Sequence, residues 1–269
     1  MKNITFNEKK IYYAESGKGK TIVLLHGFAE TSKIWDSFRD DLSESYRVIV
    51  IDLAGHGKSE VLEPIHTMEL QAEVVFEVLK QRKVKNCLMI GHSMGGYVTL
   101  AFASKYPEML KGIGLFHSHS YPDSPVERTN RGRIIKIINQ DKFGFLAGFF
   151  PSLFPVGSRK KFAKEIKTLI QRAKEIPKEG IIAAQEGMKI RKNQSAVLKS
   201  IQVPVLFILG LKDSKSPIDR LWKMVSLPRH SECLILRDVG HMGYIEVPEE
   251  TLSTIKGFAK RALHRNAFR

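Results

Sequence analysis

The amino-acid sequence predicts an α/β protein with a mostly parallel central sheet and helices on both of its faces. Short, continuous apolar runs rich in β-branched residues recur along the 269 residues, and amphipathic stretches long enough for a helix separate most of them. Strands that are buried on both faces show continuous rather than alternating hydrophobicity, as in parallel sheets. A chain of this length forms one large domain, or a core domain with an insertion.

Six apolar runs are predicted as strands because each is short and bounded by turn or polar residues. They are TIVLLHG (21–27), RVIVIDL (47–53), NCLMIGHS (86–93), GIGLFHS (112–118), VPVLFILG (203–210) and SECLILRDV (231–239). Helices are predicted between them, for example at residues 67–82 and 93–105. In such sheets ligands lie beyond the carboxyl ends of the strands, so the residues directly after these runs are the candidates for a site.

One interval breaks this alternation of strands and helices. About eighty residues between the fourth and fifth runs contain helix-like segments but no good strand. We interpret residues 120–199 as an inserted helical cap and residues 1–119 and 200–269 as the core. Residues 121–199 hold seventeen Lys and Arg against seven Asp and Glu, so +10 of the net charge of +15 lies there. The basic character of the chain belongs mainly to the predicted cap.

The segment CLMIGHSMGGYVTLAFA (87–103) predicts a strand, a tight turn and a helix. In a G-x-S-x-G turn the serine has a strained backbone, and the flanking glycines, here Gly91 and Gly95, allow neighbouring backbone to approach closely. The strain lifts the Ser93 hydroxyl clear of the sheet. The N–H of Met94 then lies at a helix N-terminus, where developing negative charge is stabilised. By itself the pattern also fits an ordinary glycine-rich turn.

A serine hydroxyl is a poor nucleophile near neutral pH unless an imidazole takes its proton and an acid orients that imidazole. His241 follows the last predicted strand, in RDVGHMGYIEVPEE, and Asp213 follows the strand before it, in LFILGLKDSKSP. The order Ser93, Asp213, His241 is the order that accompanies this turn motif. Asp219 and Asp238 are the alternatives for the acid.

A second donor for the negative charge is expected in the loop after an early strand. In VLLHGFAETSKIW, Gly27 allows the chain to turn so that the N–H of Phe28 faces Ser93. The adjacent His26 is expected to be structural.

Five motifs together resemble the α/β-hydrolase superfamily, in its serine-nucleophile branch with an inserted helical cap, as in esterases and lipases. They are HGF (26–28), DLAGHGKS (52–59), GHSMGG (91–96), GLKD (210–213) and GHM (240–242). The resemblance covers nearly the whole chain, although the predicted cap carries no assignable motif. It implies Ser93 as nucleophile, Asp213 and His241 as its partners, and the N–H groups of Phe28 and Met94 as the oxyanion hole.

These residues predict a serine hydrolase that cleaves a small or medium carboxylic ester through an acyl-enzyme, without a cofactor or a metal. Family members with Asp at the turn open epoxides or displace halide, and Ser93 argues against both reactions. Thioesters, lactones and carbon–carbon bonds remain alternatives, because the same triad cleaves them all. A ligand-binding receptor or scaffold that retains the fold is the alternative from a different class.

Further candidates for the substrate pocket are His92 and His117, near strand ends, and Phe149 and Phe150, in DKFGFLAGFFPSLFPVG. The histidines alternatively cap their strands, and the aromatic cluster alternatively packs the cap against the core. The basic residues of the cap either attract anionic substrates or surfaces, or form a solvated face.

The net charge of +15 and the isoelectric point near 9.7 are compatible with a nucleic-acid partner. The chain has no helix-turn-helix, zinc-finger or aromatic-basic RNA signature, so no nucleic-acid partner is expected. Its two cysteines, Cys87 and Cys233, lack metal-binding spacing and are expected to be buried thiols in a reducing compartment. With no recognisable export signal or membrane segment, we expect a soluble, cytoplasmic protein that acts on a small molecule.

Overall fold

A computed structural model describes residues 1–216 and 218–264, with the backbone alone at residues 218–220. Within this part of the chain, eight strands form one sheet in the order β1-β2-β4-β3-β5-β6-β7-β8. The strands are β1 (Lys2–Phe6), β2 (Lys9–Ser16), β3 (Thr21–Leu25), β4 (Arg47–Ile51), β5 (Cys87–His92), β6 (Leu110–Phe116), β7 (Val205–Gly210) and β8 (Ser231–Leu236). Only the β1–β2 and β2–β4 pairs in this sheet are antiparallel. The predicted mostly parallel sheet is confirmed.

Helices follow most of the parallel strands. They are α1 (Asp36–Leu42), α2 (Met68–Gln81), α3 (Met94–Lys105), α4 (Pro125–Ser152), α5 (Ala163–Lys174), α6 (Lys178–Lys189), α7 (Ser195–Ser200), α8 (Ile218–Val225), α9 (Gly243–Glu246) and α10 (Pro248–His264). The α2 helix begins after Thr67, whose hydroxyl accepts a hydrogen bond from Leu70 N. At the start of α4, Ser124 and Glu127 form a reciprocal capping box, with Pro125 in the first position.

The helices α4 to α7 lie between β6 and β7 in the chain, and we call residues 125–200 the helical segment. Asp141 has non-helical backbone angles and divides α4 by a kink. The α4 helix packs against α5 and α6. This segment coincides closely with the predicted cap at 120–199, whose status as a separate domain stays a prediction.

The hydrophobic core lies on both faces of the central strands. Every residue of β3, β5 and β7 is buried, which explains their continuous apolar sequences. The parallel strands end at one edge of the sheet, so the loops after β3, β5, β6, β7 and β8 lie near one another. These loops carry the candidate site.

Two strands and one cysteine were not predicted correctly. No strand was predicted before residue 21, because β1 and β2 bury mainly Ile4, Ile11 and Tyr13 among polar residues. Cys233 is exposed rather than buried, because it lies on the edge strand β8, where every second residue from Ser231 faces solvent. Among the described helices, none combines the length and the hydropathy that crossing a bilayer requires.

Candidate active site

Ser93 lies at the sharp turn between β5 and α3. Its φ of 50° and ψ of −114° are strained for a residue with a side chain. A Cβ at Gly95 would lie 2.6 Å from the carbonyl oxygen of Leu25, and a Cβ at Gly91 would overlap the carbonyl group of Gly95. Neither flanking position has room for a side chain. Because both residues are glycine, the chain can turn this tightly and expose Ser93 to a cavity.

His241 and Asp213 form a hydrogen-bonded chain with Ser93. Nε2 of His241 lies 2.9 Å from Ser93 Oγ, and Nδ1 lies 2.8 Å from Asp213 Oδ2. The other carboxylate oxygen of Asp213 accepts hydrogen bonds from the backbone N–H groups of Lys215 and Ser216, at 2.8 and 3.1 Å. Burial alone would raise the pKa of Asp213, but the neighbouring histidines hold it well below its usual range. Asp213 is therefore a carboxylate that fixes the orientation of His241.

The alternative acids are not found beside His241. Asp238 has an exposed side chain and forms an ion pair with Lys212 at 2.6 Å. The side chain of Asp219 lies outside the described residues.

The backbone N–H groups of Phe28 and Met94 are the predicted oxyanion donors. Both residues are buried, and Phe28 lines the same cavity as Ser93. Neither N–H donates a hydrogen bond to any acceptor within residues 1–216 and 218–264. Two unused N–H groups at the predicted nucleophile can stabilise a developing oxyanion.

Three buried side chains hold the loop that carries His241. The Glu246 carboxylate accepts hydrogen bonds from Gly240 N and Met242 N, at 3.0 and 3.1 Å. His92 Nε2 lies 2.9 Å from the carbonyl oxygen of His241. His117 Nε2 accepts a hydrogen bond from Gly243 N at 3.2 Å. The position of the imidazole therefore depends on residues from three other elements.

His92 forms a buried ion pair with Glu30, which the sequence analysis did not identify. Nδ1 of His92 lies 2.9 Å from Glu30 Oε2, and its Nε2 faces the carbonyl of His241. Because both partners are acceptors, both ring nitrogens carry protons and His92 is an imidazolium. Burial alone would lower the pKa of His92, but Glu30 raises it. Burial opposes ionisation of Glu30 as well, yet the His92 charge and three hydrogen bonds lower its pKa to about 2.

The remaining oxygen contacts of Glu30 connect two loops of the site. Its Oε2 also accepts a hydrogen bond from Gly27 N at 2.6 Å, and its Oε1 accepts one from Tyr244 Oη at 2.8 Å. Gly27 precedes Phe28 in the predicted oxyanion loop. One carboxylate thus fixes the oxyanion loop and, through His92, the backbone of His241. A glutamate in the apolar stretch HGFAE was the available sequence signal.

His117 is a second histidine beside Asp213. Because its Nε2 accepts the hydrogen bond from Gly243, its proton is on Nδ1, which lies 3.5 Å from Asp213 Oδ2. Burial lowers the pKa of His117 to about 4, despite the attraction of Asp213. Burial likewise lowers the pKa of His56 to about 3 and that of His66 to about 4. We call His56, His66 and His117 the neutral histidines.

A cavity of about 370 Å³ opens over Ser93 and His241. Its apolar wall includes Phe28 and Phe149, whose rings meet edge to face at 5.4 Å. Of the other predicted pocket residues, His92 contacts His241, His117 lies beside Asp213 and Phe150 is fully buried, and none of these three lines the cavity. The polar wall contains Asp123, Arg131 and Arg191 from the helical segment and the loop before it, which the sequence analysis did not identify.

No metal site accompanies this geometry in the described part of the chain. Within it, no three His, Cys, Asp or Glu side chains gather as ligands for an ion. Burial raises the pKa of the Cys87 thiol to about 12, which makes it unreactive.

Comparisons with known proteins agree with the fold. A family model described as alpha/beta hydrolase fold matches residues 20–248. The malate-bound structure of a thermophilic esterase from Thermogutta terrifontis is 28% identical, with a TM-score of 0.92 over 97% of this chain and 99% of that one. Lipase 1 of Psychrobacter immobilis is 24% identical over 93% of this chain and 80% of its own length.

A further relative is named as a hydrolase of a different substrate. The 2-hydroxy-6-oxononadienedioate/2-hydroxy-6-oxononatrienedioate hydrolase of Escherichia coli K12 is 26% identical over 94% of this chain and 91% of its own. The matched family model covers most of the sequence, and these three similar proteins are an esterase, a lipase and another hydrolase. The chain therefore belongs to the α/β-hydrolase family of enzymes.

Proposed function

We propose that this enzyme is a serine hydrolase that cleaves small or medium carboxylic esters through an acyl-enzyme intermediate. The observation that carries the proposal is the hydrogen-bond chain from Ser93 Oγ through His241 to Asp213, with lengths of 2.9 and 2.8 Å. A hydroxyl, a base and an orienting carboxylate in this arrangement form an activated nucleophile. The esterase and lipase relatives support the same reaction class.

In the acylation step, Ser93 Oγ attacks the ester carbonyl carbon while its proton passes to His241 Nε2. Asp213 stabilises the imidazolium at Nδ1, and the N–H groups of Phe28 and Met94 stabilise the oxyanion. Each such donor contributes about 10²- to 10³-fold to the rate in comparable sites. The tetrahedral intermediate then collapses, and the alcohol leaves with the proton from His241.

In the deacylation step, His241 takes a proton from water, and the hydroxide attacks the acyl-enzyme carbonyl. The same two N–H groups stabilise the second oxyanion, after which His241 returns the proton to Ser93 Oγ. The carboxylic acid is released and the triad is restored. No cofactor takes part in either step.

The cavity supports a substrate of small to medium size. Its volume of about 370 Å³ lies near the lower end of the range of roughly 300–1,000 Å³ that is typical of small-molecule sites. Phe28 and Phe149 form an apolar wall for an acyl chain. A panel of 4-nitrophenyl esters with acyl chains of two to about twelve carbons tests the proposal. We expect the highest kcat/KM for short or medium chains, and no turnover of any ester would refute it.

Hydrolysis of a carbon–carbon bond is the second candidate, because the Escherichia coli relative is named for a dienedioate substrate. The same triad can also hydrolyse thioesters and lactones. Parallel assays with a vinylogous 1,5-diketone acid, a thioester and a lactone distinguish these reactions. A kcat/KM for one of them far above that of every ester would replace the ester proposal.

A ligand-binding receptor or scaffold remains the alternative outside catalysis, and the intact triad and unused oxyanion donors favour turnover over it. We further propose a cytoplasmic location, since both cysteines are free thiols. We also propose a small-molecule substrate rather than nucleic acid, and attraction of anionic substrates by the basic helical segment.

A further inference from the structure

Two arginines share one carboxylate in the wall of the cavity that contains Ser93. Nε of Arg131 and Nη1 of Arg191 form ion pairs with opposite oxygens of Asp123. The side chains of Arg131, Asp123 and Arg191 are only 18%, 2% and 4% exposed, and all three residues line the cavity. We call these three residues the arginine pair site.

Protein contacts hold both guanidinium groups in place. Arg131 Nη1 donates to Gln185 Oε1 at 2.9 Å, and Arg191 donates to the carbonyl oxygens of Tyr121 and Met188 at 3.0 and 2.9 Å. Nη2 of Arg191 donates no hydrogen bond to any atom of the described residues. A fixed guanidinium with an unused pair of N–H donors is pre-organised for an additional anionic partner.

The arginine pair site carries one uncompensated positive charge. Two guanidinium groups are always protonated, while Asp123 supplies a single negative charge. Burying an unbalanced charge is costly unless a further anion or solvent compensates it. The two other charged residues that line the cavity, Lys215 and Glu127, have opposite signs. The charged side chains among the described residues that line the cavity therefore carry one net positive charge.

The arginine pair site lies within reach of a substrate that is bound at Ser93. The guanidinium of Arg191 stacks 4.3 Å above the ring centre of Tyr97. Tyr97 follows Ser93 by four residues on α3, which is about one helical turn, or roughly 6 Å along the axis. Arg191 and Ser93 both line the cavity. A group on the substrate a few bonds from the scissile carbonyl can therefore contact the guanidinium.

We propose that the arginine pair site binds a free carboxylate of the substrate, so that preferred substrates are esters carrying a carboxylate in their acyl or alcohol part. A carboxylate is favoured over a dianionic phosphate because it balances the single excess charge, and its two oxygens match the guanidinium fork. This inference rests on the proposed ester hydrolysis. It assigns specificity to two residues rather than to the overall charge of the helical segment.

The first experiment compares anionic and neutral esters of equal shape on the unmodified enzyme. The acyl-side pair is monomethyl glutarate and methyl 4-carbamoylbutanoate, and the alcohol-side pair is 4-carboxyphenyl and 4-carbamoylphenyl butanoate. We expect a KM about 10- to 100-fold lower for the carboxylate in at least one pair, because a hydrogen bond to a charged group is lost in the amide. Equal kcat/KM in both pairs would overturn the proposal.

The second experiment removes the guanidinium groups one at a time. Arg191→Gln and Arg131→Gln each leave Asp123 paired with the other arginine, and we expect the ratio of kcat/KM for the carboxylate ester to kcat/KM for its amide to fall to about 1, as the loss of a charge-assisted hydrogen bond requires. Lys136→Gln is the matched control, since it removes one positive charge from an exposed position of α4, the helix that carries Arg131. A control that loses the preference as strongly as Arg191→Gln would show a general charge effect and overturn the proposal.

A binding measurement separates this inference from the proposed function. Glutarate should raise the melting temperature of Ser93→Ala, and the increase should be lost in Ser93→Ala/Arg191→Gln. If neither ester of a pair is hydrolysed but glutarate binds in this arginine-dependent way, ester hydrolysis fails and the carboxylate site stands. If neutral esters are hydrolysed and glutarate does not bind, the carboxylate site fails alone.

Discussion

Replacement of Glu30 by Gln should destabilise the protein and slow its turnover together. The carboxylate has an ordinary pKa of 4.5, which the fold lowers to about 2. At about 1.4 kcal/mol per pH unit, this corresponds to about 3 kcal/mol of stability. Because the pKa is lowered on folding, the stabilisation is complete above pH 4.5 and disappears as the pH falls towards 2. At pH 7, Glu30→Gln should therefore lower the free energy of unfolding by about 3 kcal/mol.

The same substitution acts on the site through His92. Without the carboxylate, the buried ring becomes neutral and loses one of its two protons, so it cannot donate to both its partners. Either the carbonyl of His241 loses its hydrogen bond, or the new amide NH2 turns to the ring and Gly27 N loses its acceptor, so one of the two loops of the site shifts. A misplacement of about 1 Å near the reacting atoms costs on the order of 10- to 100-fold in kcat.

The assay combines urea unfolding with steady-state ester hydrolysis at pH 7. Tyr244→Phe is the control, because it removes one hydrogen bond to Glu30 but keeps the ion pair with His92. It should cost about 1–2 kcal/mol and leave kcat within about threefold. Two results would contradict the positioning of His241 by the ion pair. One is a Glu30→Gln variant that has the urea midpoint of the unmodified protein. The other is a variant that loses the predicted stability but keeps the unmodified kcat.

Three further predictions concern the proposed triad acid, the neutral histidines and the apolar wall. Asp213→Asn should lower kcat by about 10⁴-fold, whereas the exposed Asp238→Asn should leave it within twofold; the reverse order would identify the wrong acid. Each neutral histidine has a folded pKa below its unfolded value of 6.5, so stability falls as the pH drops below 6.5, by about 2 kcal/mol per histidine at pH 5. Urea midpoints that stay constant from pH 7 to 5 would contradict this. Phe149→Ala should change the preferred acyl chain length with little loss of stability. Phe150→Ala should lower the free energy of unfolding by about 3–5 kcal/mol and leave the preferred chain length unchanged. The ester panel measures the preference and urea unfolding measures the stability.

The central strands of the fold were predictable because burial on both faces imposes a continuous apolar sequence. Strands such as β5 and β7 carry this pattern without interruption. The strands β1 and β2 lie at the antiparallel end of the sheet and bury one face only, so polar residues alternate with Ile4, Ile11 and Tyr13. A short alternating pattern at the chain terminus was too weak a signal for a strand.

The order of Ser93, Asp213 and His241 was predictable because each residue follows a strand with a characteristic motif. The supporting contacts were not, since they join distant positions without a local pattern. Glu30 and Tyr244 are 214 residues apart. Arg191 meets Asp123 across 68 residues, inside a segment where many basic residues face solvent. Only the folded chain distinguishes these buried charges from the exposed ones.

Covalent labelling of Ser93 tests the central claim most directly. Intact-protein mass spectrometry after reaction with a fluorophosphonate should show one adduct, and peptide mapping should place it on Ser93. The Ser93→Ala variant should give no adduct and less than about one part in 10⁴ of the ester turnover, with an unchanged urea midpoint. A folded Ser93→Ala variant that is still labelled, or that hydrolyses esters at a rate near that of the unmodified enzyme, would contradict the assignment of Ser93 as the nucleophile.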